Sequence, residues 1–331
     1  MISVIMSVYN DREYIRQSLD SLLAQTEQDF EIVILDDHSG DDTVSIIRQY
    51  RDARIRLYLN EENRGLTRNL NSALQLARGK FIARMDGDDI CRPQRFEKQL
   101  AFLRSDPSLM LVSCRTHMFG EEDLVSDISG TGEKLKAMML IRPVLAHPGF
   151  MMRRELIEEG FRYDESFRSA QDYDFAVRVA QKHAIGVTPE ILLDYRVHKK
   201  QVSHKNGTEQ FSNADRVRQM QMERLGIRLS EGQRQAYLAW AREQRDCPTD
   251  TYRTAAELIE TIRKANAQAG LYEPAVLEKE LKKLLFQWML RSRSAAVWLR
   301  AVTVCGVSAG NLYLLFQKML EIIIHKLRKE R

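Results

Sequence analysis

The stretch Phe81-Ile82-Ala83-Arg84-Met85-Asp86-Gly87-Asp88-Asp89 decides how this chain is read. A short, mostly apolar run of strand type is followed at once by three carboxylates within four residues. Open α/β sheets collect their ligands beyond the carboxyl ends of their strands, so the chemistry is expected at this edge. Asp86, Asp88 and Asp89 crowd negative charge there, and a cation or a network of donors must offset the repulsion. Hard oxygen ligands select Mg²⁺ or Mn²⁺, and two carboxylates plus diphosphate oxygens complete such a site without a full protein cage. Taken alone, the tetrad is equally well read as a solvated turn or an Asp-rich helix cap ahead of Pro93.

Working upstream, Ile2 to Val8 is a buried-strand candidate, and Ile15, Leu19, Leu22 and Leu23 repeat at helical spacing. Ile32 to Leu35 forms a second apolar run that ends in Asp36-Asp37, which completes one β-α-β unit. A helix from about Asp42 to Tyr50, a strand near Arg54 to Leu59, and a helix from about Thr67 to Arg78 stopped by Gly79 follow. Downstream, Pro93 suits the first turn of a helix reaching about Arg104, and Leu109 to Cys114 is again strand-like. A short amphipathic segment at Glu133 to Ile141, an extended His147-Pro148-Gly149-Phe150, a helix around Asp172 to Lys182 and a strand Ile191 to Val197 complete the region. This alternation is that of helices covering a mostly parallel sheet. After about Lys205 long helix-patterned stretches replace it. The expectation is an α/β domain over residues 1–205 and a helical region over 206–331.

Residues at neighbouring strand ends strengthen the catalytic reading of the acidic cluster. Asp36-Asp37 ends the second strand, where a carboxylate accepts from a base N–H or a ribose hydroxyl. Ser7-Val8-Tyr9-Asn10 ends the first, bringing a hydroxyl and an aromatic face. Arg68 and Arg84 lie near the same edge in sequence and are candidates for phosphate oxygens.

These stretches, taken in order, resemble the family 2 glycosyltransferases, which adopt the GT-A fold and invert the configuration of the transferred sugar. The matching pieces are SVIMSVYN (Ser3–Asn10), DDHSGDDT from Asp36, NRGLTRN (Asn63–Asn69) and ARGKFIARMDGDD from Ala77. Looser matches continue with His147-Pro148, QDYDFAVR (Gln171–Arg178) and DYRVH (Asp194–His198). The resemblance implies that Tyr9 and Asp37 contact the uracil of a UDP-sugar, with Ser7 and Arg68 nearby. It implies that Asp88 binds the divalent metal, that Asp86 touches ribose or metal, and that His198 is a second protein ligand; Asp89 has no firm role. The family's base falls on Asp172, with Gln171 where Glu is frequent. His147 either lines the acceptor side or sets the turn before Pro148. The implied reaction moves a sugar from a nucleotide-sugar to a hydroxyl of a glycan or lipid-linked acceptor, as in bacterial surface polysaccharide or lipopolysaccharide synthesis.

Bulk composition agrees with a globular enzyme: of 331 residues, 44% are hydrophobic and 29% charged. The net charge of +4 is too small and dispersed for a nucleic-acid surface, which clusters Lys and Arg with stacking aromatics. Four widely spaced cysteines form no zinc-like pattern, and Met1 leads into Ser3-Val4-Ile5 without an export signal, so a reducing, cytoplasmic setting is expected. Ala301 to Phe316 is uncharged over sixteen residues, short of the roughly 20 that span a bilayer. Tyr313, Phe316, Leu320, Ile323 and Leu327 continue at helical spacing, and the last fifteen residues carry five basic and two acidic side chains. A membrane-interface helix and a helix packed on protein are both open readings. Two other functions stay open from sequence: a non-catalytic nucleotide-sugar-binding module, and a nucleotidyltransferase, although Val8-Tyr9-Asn10-Asp11 lacks the glycines of a phosphate loop.

Overall fold

The computed structural model describes residues 1–198 and 207–306, and the chain forms two compact units. The first comprises Met1–Leu135 with Pro143–Val217; the second comprises Lys136–Arg142 with the described residues from Arg218 onward.

The first unit is built on one sheet of ten strands: β1 Ile2–Val8, β2 Phe30–Asp36, β3 Ile55–Leu59, β4 Phe81–Arg84, β5 Ile90–Cys91, β6 Leu109–Gly120, β7 Leu124–Val125, β8 Gly130–Thr131, β9 Met151–Arg153 and β10 Ala184–Val197. Their order is β3-β2-β1-β4-β9-β6-β10-β5, with β7 beside β6 and β8 beside β10. Strands β3, β2, β1 and β4 are parallel, whereas β9 runs antiparallel to both its neighbours, so the sheet is mixed but mainly parallel. Val4, Ile5, Met6, Ile32, Val33 and Ile34 are all fully buried. Burial on both faces is why these runs are continuously apolar rather than alternating. Helices α1 Ile15–Leu23, α2 Thr43–Ile47, α3 Leu66–Leu76, α4 Arg95–Ser105, α5 Glu133–Met138, α6 Glu155–Glu158 and α7 Gln171–Ala180 intervene between the strands.

Register places the strand ends. Val8 lies opposite Asp36, and Arg84 lies opposite Ile5. The Met85 N–H donates to the Ile5 carbonyl at 3.1 Å, so Asp86 to Asp89 emerge at the same edge as Tyr9 and Asp37. Arg95, fully buried, braces this edge from below by donating to the Arg84 carbonyl at 2.8 Å and the Phe150 carbonyl at 3.2 Å.

Several boundaries differ from the sequence reading. Helix α3 ends at Leu76 with Ala77 already extended, before Gly79. A Cβ on Gly79 would lie 2.6 Å from the Ser3 nitrogen, so this glycine permits the chain to cross the start of β1 and does not stop the helix. His147–Gly149 is a 3₁₀ turn and not extended. Strands β6 and β10 run well beyond the expected segments, and their pairing is shifted between Thr188/Ile191 and Ile191/Leu193. That irregularity and Pro189 interrupt the apolar pattern.

The helices that follow are α8 Gly207–Arg224, α9 Glu231–Ala241, α10 Thr249–Ala269, α11 Pro274–Leu290 and α12 Ala295–Cys305. In the second unit α9 begins with a capping box of Ser230 and Gln233. Ala255, Leu258, Ile259 and Ile262 form the buried stripe of α10, and the Tyr252 ring packs on Trp288 of α11 at 4.4 Å between centroids. Among the described residues no helix is long and apolar enough to cross a membrane. The basic, apolar segment expected near the C-terminus lies outside the described residues beyond 306.

Candidate active site

Five chain segments of the first unit converge at the carboxyl edge of the sheet. The loop after β4 carries Asp86, Asp88 and Asp89, whose nearest carboxylate oxygens all lie within 4.8 Å of one another. Burial together with this crowding disfavours ionisation. Asp86 is pushed up to about 6 by burial, against the pull of Arg84 and with repulsion from Asp88 and Asp172. Asp89, fully buried, is raised well above the usual range by burial and then by repulsion from Asp86 and Asp88. Its Oδ1 accepts the Arg196 N–H at 2.8 Å, while its Oδ2 is buried without a donor.

Each carboxylate of this loop has a different partner. Asp86 forms a two-point ion pair with the buried guanidinium of Arg84, and its carbonyl accepts from Ser18 Oγ at 2.8 Å. Asp88 Oδ2 meets His198 Nε2 at 3.0 Å, and the His198 ring packs on Tyr14 at 4.9 Å between centroids. The fold brings Asp88 and His198 together, although they are far apart in the chain.

At the end of β2 the picture is different. Asp37 is 3% exposed, and its carboxylate accepts from Asn60 Nδ2 at 3.0 Å, Arg64 N at 2.8 Å and Gly65 N at 3.0 Å. It therefore ties down the loop between β3 and α3. Asn60 passes the network to Asn69 Oδ1 at 2.7 Å, and Asn69 Nδ2 donates to Ser7 Oγ at 3.1 Å. Tyr9 stands beside this network half-exposed, at 50%. Asp36 Oδ2 accepts the Ser39 N–H at 2.9 Å, and its Oδ1 is buried without a donor.

Asp172 opens α7, where its carboxylate accepts the Tyr173 N–H and its own. Burial raises its pKa, offset by those N–H groups and by the nearby Arg84 charge. Arg84 thus supplies positive charge to both Asp86 and Asp172. Gln171 is 5% exposed with its Oε1 buried and unpartnered. His147 is buried as well, its Nε2 2.9 Å from the Tyr163 hydroxyl, and burial with the adjacent Arg84 holds it well below its ordinary value and hence neutral. Arg68 stands apart from the acidic cluster, on an exposed face, pairing with Glu165 at 3.3 Å.

Two residues given no role from the sequence belong to this site. Asp11 follows the end of β1; its Oδ2 accepts the Tyr9 N–H at 3.2 Å. Burial pushes its pKa up to about 8, with repulsion from Asp88, Asp86 and Asp41 adding to it. A Cβ on Gly87 would sit 2.5 Å from that same oxygen, so the Asp11 carboxylate occupies its place only because residue 87 has no side chain. That unexplained glycine was the available signal. Arg196, quoted above only as part of a motif, is the second.

Known proteins agree with this edge. Residues 3–161 match the Glycosyl transferase family 2 profile. The O-antigen biosynthesis glycosyltransferase WbnJ of Escherichia coli is 31% identical over 210 residues, 60% of this chain and 81% of that one. S. aureus TarS aligns with a TM-score of 0.56 at 19% identity, over 91% of this chain and 53% of TarS. Its 1–349 portion, solved with UDP-GlcNAc, aligns at 0.56 and 17% identity, over 85% and 90% of the two chains. The mannosyltransferase PcManGT of Pyrobaculum calidifontis, solved with GDP-Man and Mn²⁺, aligns at 0.54 and 18%, over 86% and 87%. The structural likenesses establish a shared fold, and the sequence matches establish membership. The chain belongs to glycosyltransferase family 2.

Proposed function

We propose that the chain is a metal-dependent, inverting glycosyltransferase that takes a sugar from a UDP-sugar and places it on a hydroxyl of a glycan or lipid-linked saccharide in surface polysaccharide synthesis. The observation that carries the reading is the pairing, at one sheet edge, of three crowded carboxylates with a fourth, Asp172, through a shared Arg84. The donor set fits a divalent cation: hard oxygens within 4.8 Å, and a buried Asp89 oxygen with no donor. When bound, such a cation neutralises charge on the leaving diphosphate. Asp88, Asp86 and His198 are the side chains assigned to hold it, as Mg²⁺ or Mn²⁺. PcManGT, solved with Mn²⁺, shares the fold.

The other residues have work that follows from their positions. Asp37 keeps an acceptor lone pair beyond its three donors, enough for a uracil N–H, and Tyr9 offers a ring face beside it. TarS with UDP-GlcNAc supports the uridine choice. Ser7 and Asn69 hold that wall. Asp172 takes the proton of the attacking hydroxyl; its raised affinity for a proton brings it nearer the working pH of a base. Attack from the side opposite the leaving group inverts the anomeric centre. His147, neutral and bonded to Tyr163, positions the wall around Arg84. Gln171 is assigned to the acceptor side, and Arg68, at the exposed rim, would have to leave Glu165 to meet a phosphate.

The test is a panel of nucleotide-sugars incubated with and without Mn²⁺. Release of UDP that needs the metal and vanishes in Asp88→Ala supports the reading, and proton NMR of the product reads the anomeric outcome. Donor binding with no metal-dependent release would leave a binding module instead. For the membrane surface, the expected result is loss of binding to anionic vesicles on truncation near residue 295 with soluble-acceptor activity kept; unchanged partitioning rejects it.

A further inference from the structure

The acidic loop is held by several groups outside it, and Arg196 reaches it with both its backbone and its side chain. Arg196, near the end of β10, donates from Nε to the Asp88 carbonyl at 2.8 Å and from its terminal nitrogen to Gln17 Oε1 at 2.6 Å. Its guanidinium lies over the Tyr14 ring and over the Phe119 ring, each 4.5 Å from the centroid. Its own backbone N–H holds Asp89 at 2.8 Å. The planar cation is thus packed against two rings, while one edge bridges α1 and the loop. Only a guanidinium combines stacking with two donors in a rigid plane; an ammonium keeps the charge and loses the geometry.

We propose that Arg196 is a positioning residue for divalent-cation binding: packed against Tyr14 and Phe119, it fixes the Asp88 carbonyl so that the carboxylates of the acidic loop hold one arrangement despite their mutual repulsion. The inference rests on the metal-dependent reading given above. Without the bridge, repulsion among Asp86, Asp88 and Asp89 spreads the loop, and a cation must reorganise it on binding, which lowers affinity.

The test measures Mn²⁺ binding directly, by electron paramagnetic resonance of the free ion, on the full chain without donor. Arg196→Lys is expected to weaken Mn²⁺ about tenfold, the loss of one charge-assisted hydrogen bond. The metal concentration for half-maximal activity should rise in step, while uridine, which carries no diphosphate, binds unchanged. Mn²⁺ affinity within about twofold of the parent, or uridine affinity falling in parallel, overturns the proposal. Should Arg196→Lys fail to fold, Gln17→Ala on the exposed face of α1 removes one anchor; about a threefold weakening is expected, and none overturns the proposal. A parent protein that binds no Mn²⁺ sinks both this assignment and the metal-dependent reading. A parent that binds while Arg196→Lys binds equally sinks this assignment alone.

Discussion

Two strand ends at the same sheet edge handle buried carboxylates in opposite ways. Asp37, after β2, is surrounded by donors from Asn60, Arg64 and Gly65. After β4, Asp89 has one oxygen without a donor and Asp86 is pushed towards neutrality, as is Asp11, which reaches this group from the end of β1. At the first end Asp37 is fully matched and shapes a wall, although its neighbour Asp36 leaves one buried oxygen without a donor. The second is electrostatically incomplete and gains from an added positive charge. Buried charge costs stability unless it is matched, so the two ends should respond oppositely when a carboxylate is neutralised.

The largest effect expected lies between them. Asp172→Asn should cut transfer by about 10²- to 10⁴-fold with uridine affinity unchanged, read by steady-state kinetics and calorimetry. Preserved transfer would remove Asp172 as the base. Next, Asp37→Asn should destabilise the fold by about 1–3 kcal/mol in urea unfolding, because an amide NH₂ would face the Arg64 and Gly65 N–H groups. Stability equal to the parent would break the contrast from the complete side.

Asp11→Asn tests the incomplete side and carries the opposite sign. Folded Asp11 holds its proton up to about 8 against an ordinary 3.8, so the folded state loses stability as pH rises between those values. Replacing it should stabilise the metal-free protein by about 1–2 kcal/mol at pH 7.5 and by nothing near pH 3.8, compared by unfolding at both pH values. A loss at pH 7.5 would contradict it. Asp86, at about 6, makes Mn²⁺ affinity fall as pH drops through that value, since the proton and the cation compete for one carboxylate. Titrations at pH 5 and 7.5 read this. The smallest effect should come from Glu165→Ala, which breaks an exposed ion pair with Arg68 and should shift stability by less than about 0.5 kcal/mol.

Much of the fold around β1 to β4 was legible because β1, β2 and β4 are buried on both faces and read as mostly apolar runs. The far half was not. β9 is only Met151–Arg153, and it sits between β4 and β6 by pairing across long sequence separations that no local pattern records. β10 is interrupted in pattern by its register shifts, so only its second half reads as a strand. In the site, the acidic triplet and Asp37 stood out because polar residues at strand ends are visible in sequence, whereas His198 came from the family resemblance. Asp11 and Arg196 did not stand out, because their importance lies in what they touch. Arg68 was close in sequence to the edge yet faces Glu165, since its place on α3 turns it outward.

Gly87 carries a consequence for how this site can change over evolutionary time. The 2.5 Å approach of Asp11 Oδ2 to the place a Cβ would occupy makes positions 11 and 87 a single unit of variation. A side chain at 87 must displace the Asp11 carboxylate or meet a smaller residue at 11, so the two positions are coupled. The paired change Gly87→Ala with Asp11→Ser should restore what Gly87→Ala alone removes.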